Sequence, residues 1–421
     1  MKETTTQILK EKKFSILPIF LVILIDMIGI GIIIPILGPL FLSSNIIFSD
    51  SVSFATRTII LGLLIASFPL AQFFGAPILG ALSDKYGRKK LLIISLAGTF
   101  IGYIVFGIGI VTHNLYLLFI SRIIDGFTGG NITIAMSAIA DVSSEENKVK
   151  RFGLVGMSFG LGMVIGPTIG GILADSHTVS WFNYATPIWF AAILCLINIA
   201  LFIFNFKETL ISCKIKKISL FTGFRHIKKA FTYIDLRIMF VFVLLFSFGF
   251  SFYTQFFQVF LIEKFQYTER DIGLFFGFLG LCIALAQGFV VRPISKRFKP
   301  YQILSISTLF AAITISLLLI PHRALGLYFI IPFMAIFTGL TMPNMNALIS
   351  NLTSKENQGE IMGINQSFQS VGMAIPPLIA GFFAAIHFVL PVIVASILIF
   401  FAWAVFMLFF RTQHIKKLNL K

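Results

Sequence analysis

Apolar residues fill the chain in long runs, and polar residues gather between the runs. A helix needs roughly 20 apolar residues to cross a bilayer. Runs of that size fall near 16–42, 58–81, 91–112, 115–140, 152–175, 187–206, 238–262, 272–291, 301–320, 327–350, 361–385 and 388–410. Inside lipid a backbone has no water to bond, so each run must satisfy itself as a helix. The pattern predicts an all-α membrane protein with twelve transmembrane helices. An even count returns both termini to one side. The only long connection is about 207–237, so the spans divide six and six. The chain then reads as a tail over 1–15, a six-helix bundle over 16–206, a basic linker over 207–237, a second six-helix bundle over 238–410 and a tail over 411–421. The Lys-rich N-terminus runs into an apolar stretch too long for a signal-peptide core, which reads as a retained first span.

The two halves repeat. Shifting 122–171 by 210 positions onto 332–381 gives 14 identities in 50. They include Phe127/Phe337, Thr128/Thr338, Gly129/Gly339, Ser144/Ser354, Glu146/Glu356, Asn147/Asn357, Gly162/Gly372 and Pro167/Pro377. Chance matches in membrane sequence fall mainly on Ile, Leu and Phe; those at Ser, Glu, Asn, Gly and Pro are harder to get that way. Two parallel repeats predict pseudo-symmetric bundles, a binding site between them at mid-membrane, and a rocking alternation of access.

Composition narrows the class further. Hydrophobic residues make up 57% and charged residues only 12%, against about 25% charged in soluble domains. That excludes an ordinary soluble enzyme and a disordered chain. Yet 33 Lys+Arg against 17 Asp+Glu give a net charge of +16. In a soluble protein this would suggest nucleic acid. Here 28 of the 33 basic residues map to the tails and to loops on one side. Arg57, Lys264, Arg270 and Arg323 lie on the other side, and Arg122 lies inside a span. The positive-inside rule therefore puts both termini in the cytoplasm, and no nucleic-acid partner is expected. Within the linker, Phe221, Phe224, Ile227 and Phe231 alternate at roughly helical spacing with Lys214, Lys216, Lys217, Lys228 and Lys229. This reads either as an amphipathic segment on anionic inner-leaflet lipid or as a plain linker with topogenic charge.

The remaining ionisable groups are few. Asp26 is the only ionisable side chain between Phe14 and Ser49, and an intramembrane acid is a functional hypothesis by default. Arg122 and Asp125 stand three apart in the fourth span and share a helix face. They read as a functional pair or as a neutralised structural one. The C-terminal half has no acid well inside a span. It offers Gln255, Gln258, Gln287, Asn344, Asn346, Asn365, Gln366 and Gln369 beside many Phe. Amides with aromatic walls suit a lipophilic or mixed-polarity ligand. Cys195, Cys213 and Cys282 show no disulfide or metal spacing, and the six His lie mostly in loops or at span ends. No nucleophile–base set or phosphate loop is present, so neither an enzyme, a metal nor a cofactor is expected.

Four segments carry a family resemblance. Gly80-Ala-Leu-Ser-Asp84-Lys-Tyr-Gly87-Arg88-Lys-Lys occupies the 2–3 loop, where Asp84 can pair with Arg88 or sit at a helix N-terminus. It resembles the signature loop of the major facilitator superfamily. Gly162-Met-Val-Ile-Gly166-Pro167-Thr-Ile-Gly170-Gly171 resembles the antiporter pattern of that family's fifth span, and glycines four apart give a face for close packing. Arg122-Ile-Ile-Asp125-Gly126 resembles the family's proton-coupling pattern in the fourth span, with Asp125 where antiporters often carry Gln. The first span, with Asp26 before Gly29, Gly31 and Pro35, looks like that of tetracycline-exporter-type drug:proton antiporters. The resemblance covers about 16–410. It implies the major facilitator fold, with Asp84, Arg88 and Asp141 latching the halves on the cytoplasmic side.

It further implies proton coupling through Asp26, Arg122 and Asp125, and export of a small amphipathic compound by a monomer in a bacterial inner membrane. The chain departs from tetracycline exporters, which carry further acids in the third and ninth spans; Gly102 lies in the third here, and no acid lies between Tyr301 and Ile320. A proton-coupled importer or facilitator of a nutrient or siderophore-like solute, and a non-transporting membrane sensor, are the competing readings.

Overall fold

A computed structural model of the chain describes residues 17–43, 46–142, 145–210, 222–233, 236–353 and 358–411. The tail over 1–15, the tail beyond Arg411, and Cys213, Lys214, Lys216, Lys217 and Phe221 of the linker lie outside the described residues. Among the described residues, twelve helices are long and apolar enough to cross a membrane. In the N-terminal half they are Leu17–Leu42, Phe54–Tyr86, Arg88–Val111, Leu115–Thr128 continued by Asn131–Val142, Glu145–Ala174 and Thr186–Asn205. In the C-terminal half they are Arg237–Phe265, Glu269–Arg297, Pro300–Leu317, Leu325–Asn351, Gln358–Ile386 and Leu390–Val405 with its extension to Arg411. They are called the first to twelfth spans below. The end that carries the 2–3 turn and the linker is the basic end; the other is the far end.

Several spans run past their apolar cores because polar caps close them. Ser53 accepts from the Thr56 backbone N–H (3.2 Å) and starts the second span four residues before its apolar run. Asn114 caps the fourth by accepting from Tyr116 and Leu117. Thr268 and Asp271 form a reciprocal capping box at the start of the eighth. Each cap satisfies donors that a helix N-terminus leaves unpaired. The 2–3 loop is the main correction to the sequence reading. The second span continues through Gly80 and Asp84 to Tyr86, the third begins at Arg88, and the loop is the single residue Gly87. Gly87 has φ of +103°, a conformation that side chains rarely adopt.

The fourth span also differs from the expected continuous helix. It breaks at Gly129 and Gly130, adjacent residues without side chains to hold a helix. The freed carbonyls are not left bare. Gln72 donates to the Gly129 carbonyl (2.8 Å), and Ser95 donates to that of Thr128. The eighth span carries a π-helical stretch at Ala286–Val291.

Within each half the spans pack in the same pattern. First packs on fifth and sixth, third on fourth and sixth, second on fourth; the C-terminal half repeats this six places on. The halves meet chiefly through second against eleventh and fifth against eighth, which are equivalent under the same exchange. The repeat in the sequence is thus a repeat in packing. The short helix Thr222–Ala230 lies on the eleventh and second spans. Ala230 is buried and Ile227 partly so, whereas Phe231 is 62% exposed. Of the apolar positions that could lie on lipid, Ile227 is thus packed on protein and Phe231 is exposed.

Candidate functional site

Asp26, Arg122 and Asp125 converge in the N-terminal half. The Arg122 guanidinium is 3.3 Å from the Asp125 carboxylate and 4.5 Å over the Phe68 ring of the second span. Both charges are buried, and Arg122 Nε has no hydrogen-bond partner among the described residues. Gly102 makes room for the acid: a Cβ there would stand 2.9 Å from that of Asp125. Asp26 on the first span is buried within electrostatic reach of Asp125. It makes no ion pair with Arg122 in this state. Arg122 therefore holds one acid and has an unused donor, and a second acid, Asp26, lies within electrostatic reach of the first.

Sequence reasoning missed two members of this cluster. Asn131 opens the second piece of the broken fourth span, and its side chain stands next to the Asp26 carboxylate. Its buried amide nitrogen is otherwise unpartnered. Tyr103, also buried, lays its hydroxyl on Gly29, one turn from Asp26. The Gly-Gly pair before Asn131 was the available signal, since broken helices place polar groups at transport sites.

The glycine motif of the fifth span connects this cluster to the other half. Gly162 packs on Met27, next to Asp26. A Cβ on Gly166 would lie 2.6 Å from the Ile28 carbonyl, and Gly170 sits on that of Ile32. The Pro167 ring also lies on Gly31 of the first span, whereas the Pro167 carbonyl and Gly171 face the other way, against Gly273 and Glu269 of the eighth span. The fifth span is thus held between the Asp26 helix and the C-terminal half.

At the basic end, Arg88 is 2.6 Å from Asp84 and 3.1 Å from Asp141, and donates to Ser83 at 2.6 Å. The expected trio assembles. These pairs, however, join the second, third and fourth spans, all of one half, so in this state they brace a half rather than tie the halves together. A Cβ on Gly80 would meet only Thr133 at ordinary distance, so this glycine is not required sterically. Glu208 and Thr209, at the start of the linker, also join this cluster and were not expected. Glu208 accepts from the Arg88 and Lys89 backbone N–H groups, and Thr209 donates to Asp141 at 3.5 Å.

The halves close on each other at the far end. Gly62 packs on the Pro377 carbonyl, Gly381 on that of Thr58, and Gly280 on Met163. The Gly38 N–H donates to Gln258 across the halves (3.0 Å). Asp175 pairs with Arg270 at 3.6 Å, and the Tyr184 hydroxyl donates to Glu269 at 3.3 Å. Toward the basic end the fifth and eighth spans part. Gly160 has only Ala284 near it, while Gly156 and Gly288, the next glycines along each helix, have open space. The described state is closed at the far end and open at the basic end.

Burial alone would raise the Asp175 carboxyl. The His177 N–H, the Thr178 hydroxyl, the His177 side chain and Arg270 outweigh it and hold the group below the usual carboxylate range. The pair is thus complete above the ordinary carboxylate range and is lost only as pH falls through the lowered value. Burial first, then the Glu269 carboxylate, pushes the Tyr184 hydroxyl up and keeps it a donor. A half-exposed ion pair and one hydrogen bond together contribute about 1–2 kcal/mol. Arg270→Ala with Tyr184→Phe should shift the balance about tenfold toward the state open at the far end. The readout is thiol labelling of Thr58→Cys, a fully buried position at the far-end contact, in a background without the native cysteines. Labelling should quicken; an unchanged rate would mean these contacts do not hold the end shut.

The amide set of the C-terminal half divides. Gln258 is spent on Gly38 and on the Gln255 carbonyl, and Asn344 on the Leu340 carbonyl and Ser295. These two are internal braces and not free cavity walls. Asn365 and Gln369 both donate to Asn346 (2.8 and 3.2 Å), and Asn365 keeps an unpartnered buried oxygen. Gln287 is exposed and donates to the Gly339 carbonyl; Gln366 is exposed and Gln255 partly buried.

Comparison with known proteins agrees with this architecture. The family model described as Major Facilitator Superfamily matches residues 19–331 and 239–421. The tetracycline resistance protein of class C from Escherichia coli is 30% identical, over 84% of this chain and 86% of its own. The quinolone resistance protein NorA of Staphylococcus aureus is 29% identical over 90% of each. Among solved structures, the human organic anion transporter MFSD10 superposes with a TM-score of 0.71 at 19% identity, over 94% of this chain and 99% of its own. A D-xylose-proton symporter gives 0.75 at 15% identity, over 94% and 98%. With twelve spans in two equivalent halves, the chain is an integral multi-pass membrane protein and belongs to the major facilitator superfamily of transporters.

Proposed function

We propose that this protein is a proton-coupled exporter, an antiporter that moves a small amphipathic compound out of the cytoplasm by alternating access. The observation that carries the reading is the buried Arg122–Asp125 pair, with Asp26 beside it and the Gly162–Gly171 helix leading from Asp26 to the opposite half. The two resistance proteins support the drug-like class of substrate. The charge bias makes the basic end cytoplasmic, so the described state faces inward. Protons are the coupling ion, and no other cofactor takes part.

The mechanism follows from what Arg122 can hold. With both acids ionised, Arg122 has two claimants and engages Asp125. A proton on Asp26 or Asp125 removes one claimant and frees the guanidinium to reorient. Substrate and proton thus compete for one switch. Because the fifth span packs on Asp26's helix and on the eighth span, a change at the switch biases the rocking of the halves.

Direction is tested in inside-out membrane vesicles with an acidified lumen, using tetracycline and a quinolone as probes. An antiporter accumulates at least one probe in the lumen and loses it when the gradient collapses. A proton-coupled importer would instead empty the lumen, and a sensor would move neither.

A further inference from the structure

The turn between the second and third spans holds a group that the gate motif does not contain. Glu208, just past the sixth span, receives four backbone N–H groups on one carboxylate. Oε1 accepts from Arg88 (2.9 Å), Thr209 (2.9 Å) and Leu210 (2.9 Å), and Oε2 accepts from Lys89 (3.0 Å). Two of these donors open the third span and two open the linker. The Lys89 ammonium donates to the Ile203 carbonyl at 2.8 Å and ties the same turn to the sixth span. Thr209 reaches Asp141. Gly87 fits this arrangement twice: its φ is +103°, and a Cβ there would stand 2.6 Å from Glu208 Oε2.

We propose that Glu208 is a positioning residue of the cytoplasmic gate: its carboxylate fixes the one-residue turn and so holds Arg88 on Asp84 and Asp141. The physical basis is the free N-terminus of the third span. Its first N–H groups have no helical partner, and a carboxylate placed on them satisfies them and meets the helix's partial positive charge. Arg88 is the first residue of that helix, so fixing its N–H fixes the root of its side chain. The guanidinium then has only its own rotamers to search before it meets both acids. The Glu208 carboxylate bonds to backbone N–H groups and acts through Arg88. When the basic end closes, this ordered turn is part of what the N-terminal half presents to the other half. A turn without Glu208 presents Arg88 loosely, and the gate stays open for more of the cycle.

The inference rests on the alternating-access reading, and its test needs no substrate. The reporter is Gly288→Cys, a position with open space beside it in the inward-facing state. It is placed in a background lacking Cys195, Cys213 and Cys282. A membrane-impermeant maleimide is added to inside-out vesicles, and labelling rates are compared. Glu208→Ala should label about fivefold faster, the factor expected for loss of a helix cap. Glu208→Gln, which keeps one acceptor oxygen, should fall between it and the unaltered gate. Arg88→Ala should also label faster, and adding Glu208→Ala to it should change little, because groups that act as one unit are not additive.

Two results would overturn the proposal: an unaltered rate in Glu208→Ala while Arg88→Ala is fast, or full multiplication of the two effects in the double variant. If neither single variant changes labelling, the gate reading itself fails. A merely structural role for Glu208 would lower the melting temperature without moving these ratios. Should Glu208→Ala not survive extraction, Glu208→Gln runs the same comparison alone and with Arg88→Ala.

Discussion

Arg122→Ala is expected to abolish transport and to cost about 3–5 kcal/mol of stability, the loss seen when one partner of a buried ion pair is removed. Both members of the pair are buried, and the guanidinium also stacks on Phe68. The variant leaves Asp125 in the membrane interior with no counter-ion. Lys in place of Arg122 keeps the charge but not the flat fork that stacks and pairs at once, so it should recover stability more than transport. The double variant Arg122→Ala, Asp125→Asn separates the two effects. It removes the uncompensated acid, so thermal unfolding of the purified protein should return most of the way to the parent value. Transport should stay absent, because the switch is gone. Uphill transport in the double variant would show that the pair only neutralises a helix.

Asp26→Asn is expected to do the opposite: the protein should fold, bind and exchange substrate, and fail to concentrate it. Asn is nearly isosteric, so the packing against the fifth span is kept, and Asn131 still has a polar partner. What is lost is a site that changes charge. Without it, movement of the halves no longer depends on the proton gradient. The accumulated level should drop to equilibrium while exchange of labelled for unlabelled substrate stays within about threefold of the parent.

Much of this was legible in the chain because lipid leaves few alternatives. Only a helix satisfies its own backbone there, so the runs fixed the spans, and the parallel repeat fixed their grouping. The Arg122–Asp125 pair was legible because three residues along a helix is a local distance. The glycine motif was legible as a packing face. Its partner was not, because nothing in 162–171 says that the face meets Met27 and Ile28. The same limit hid Gln258. It reads as a cavity amide, yet it bonds a backbone N–H 220 positions away. Glu208 lies 120 positions from the turn it holds and sits among basic residues that drew attention to charge bias. Asn131 was hidden by a break in a helix that hydropathy reads as continuous. The one-residue turn at Gly87 was hidden because charged residues of a helix end look like a loop when only apolarity is counted.

The most direct test of the account compares parent and Asp26→Asn proteins in proteoliposomes loaded with tetracycline or a quinolone, whichever the vesicle experiment shows to be moved. Net movement is followed under an imposed pH gradient, and exchange is followed without one. Gradient-driven accumulation by the parent alone, and exchange by both, is the expected result. Full gradient-driven accumulation by Asp26→Asn would contradict it, and would remove Asp26 from the coupling mechanism.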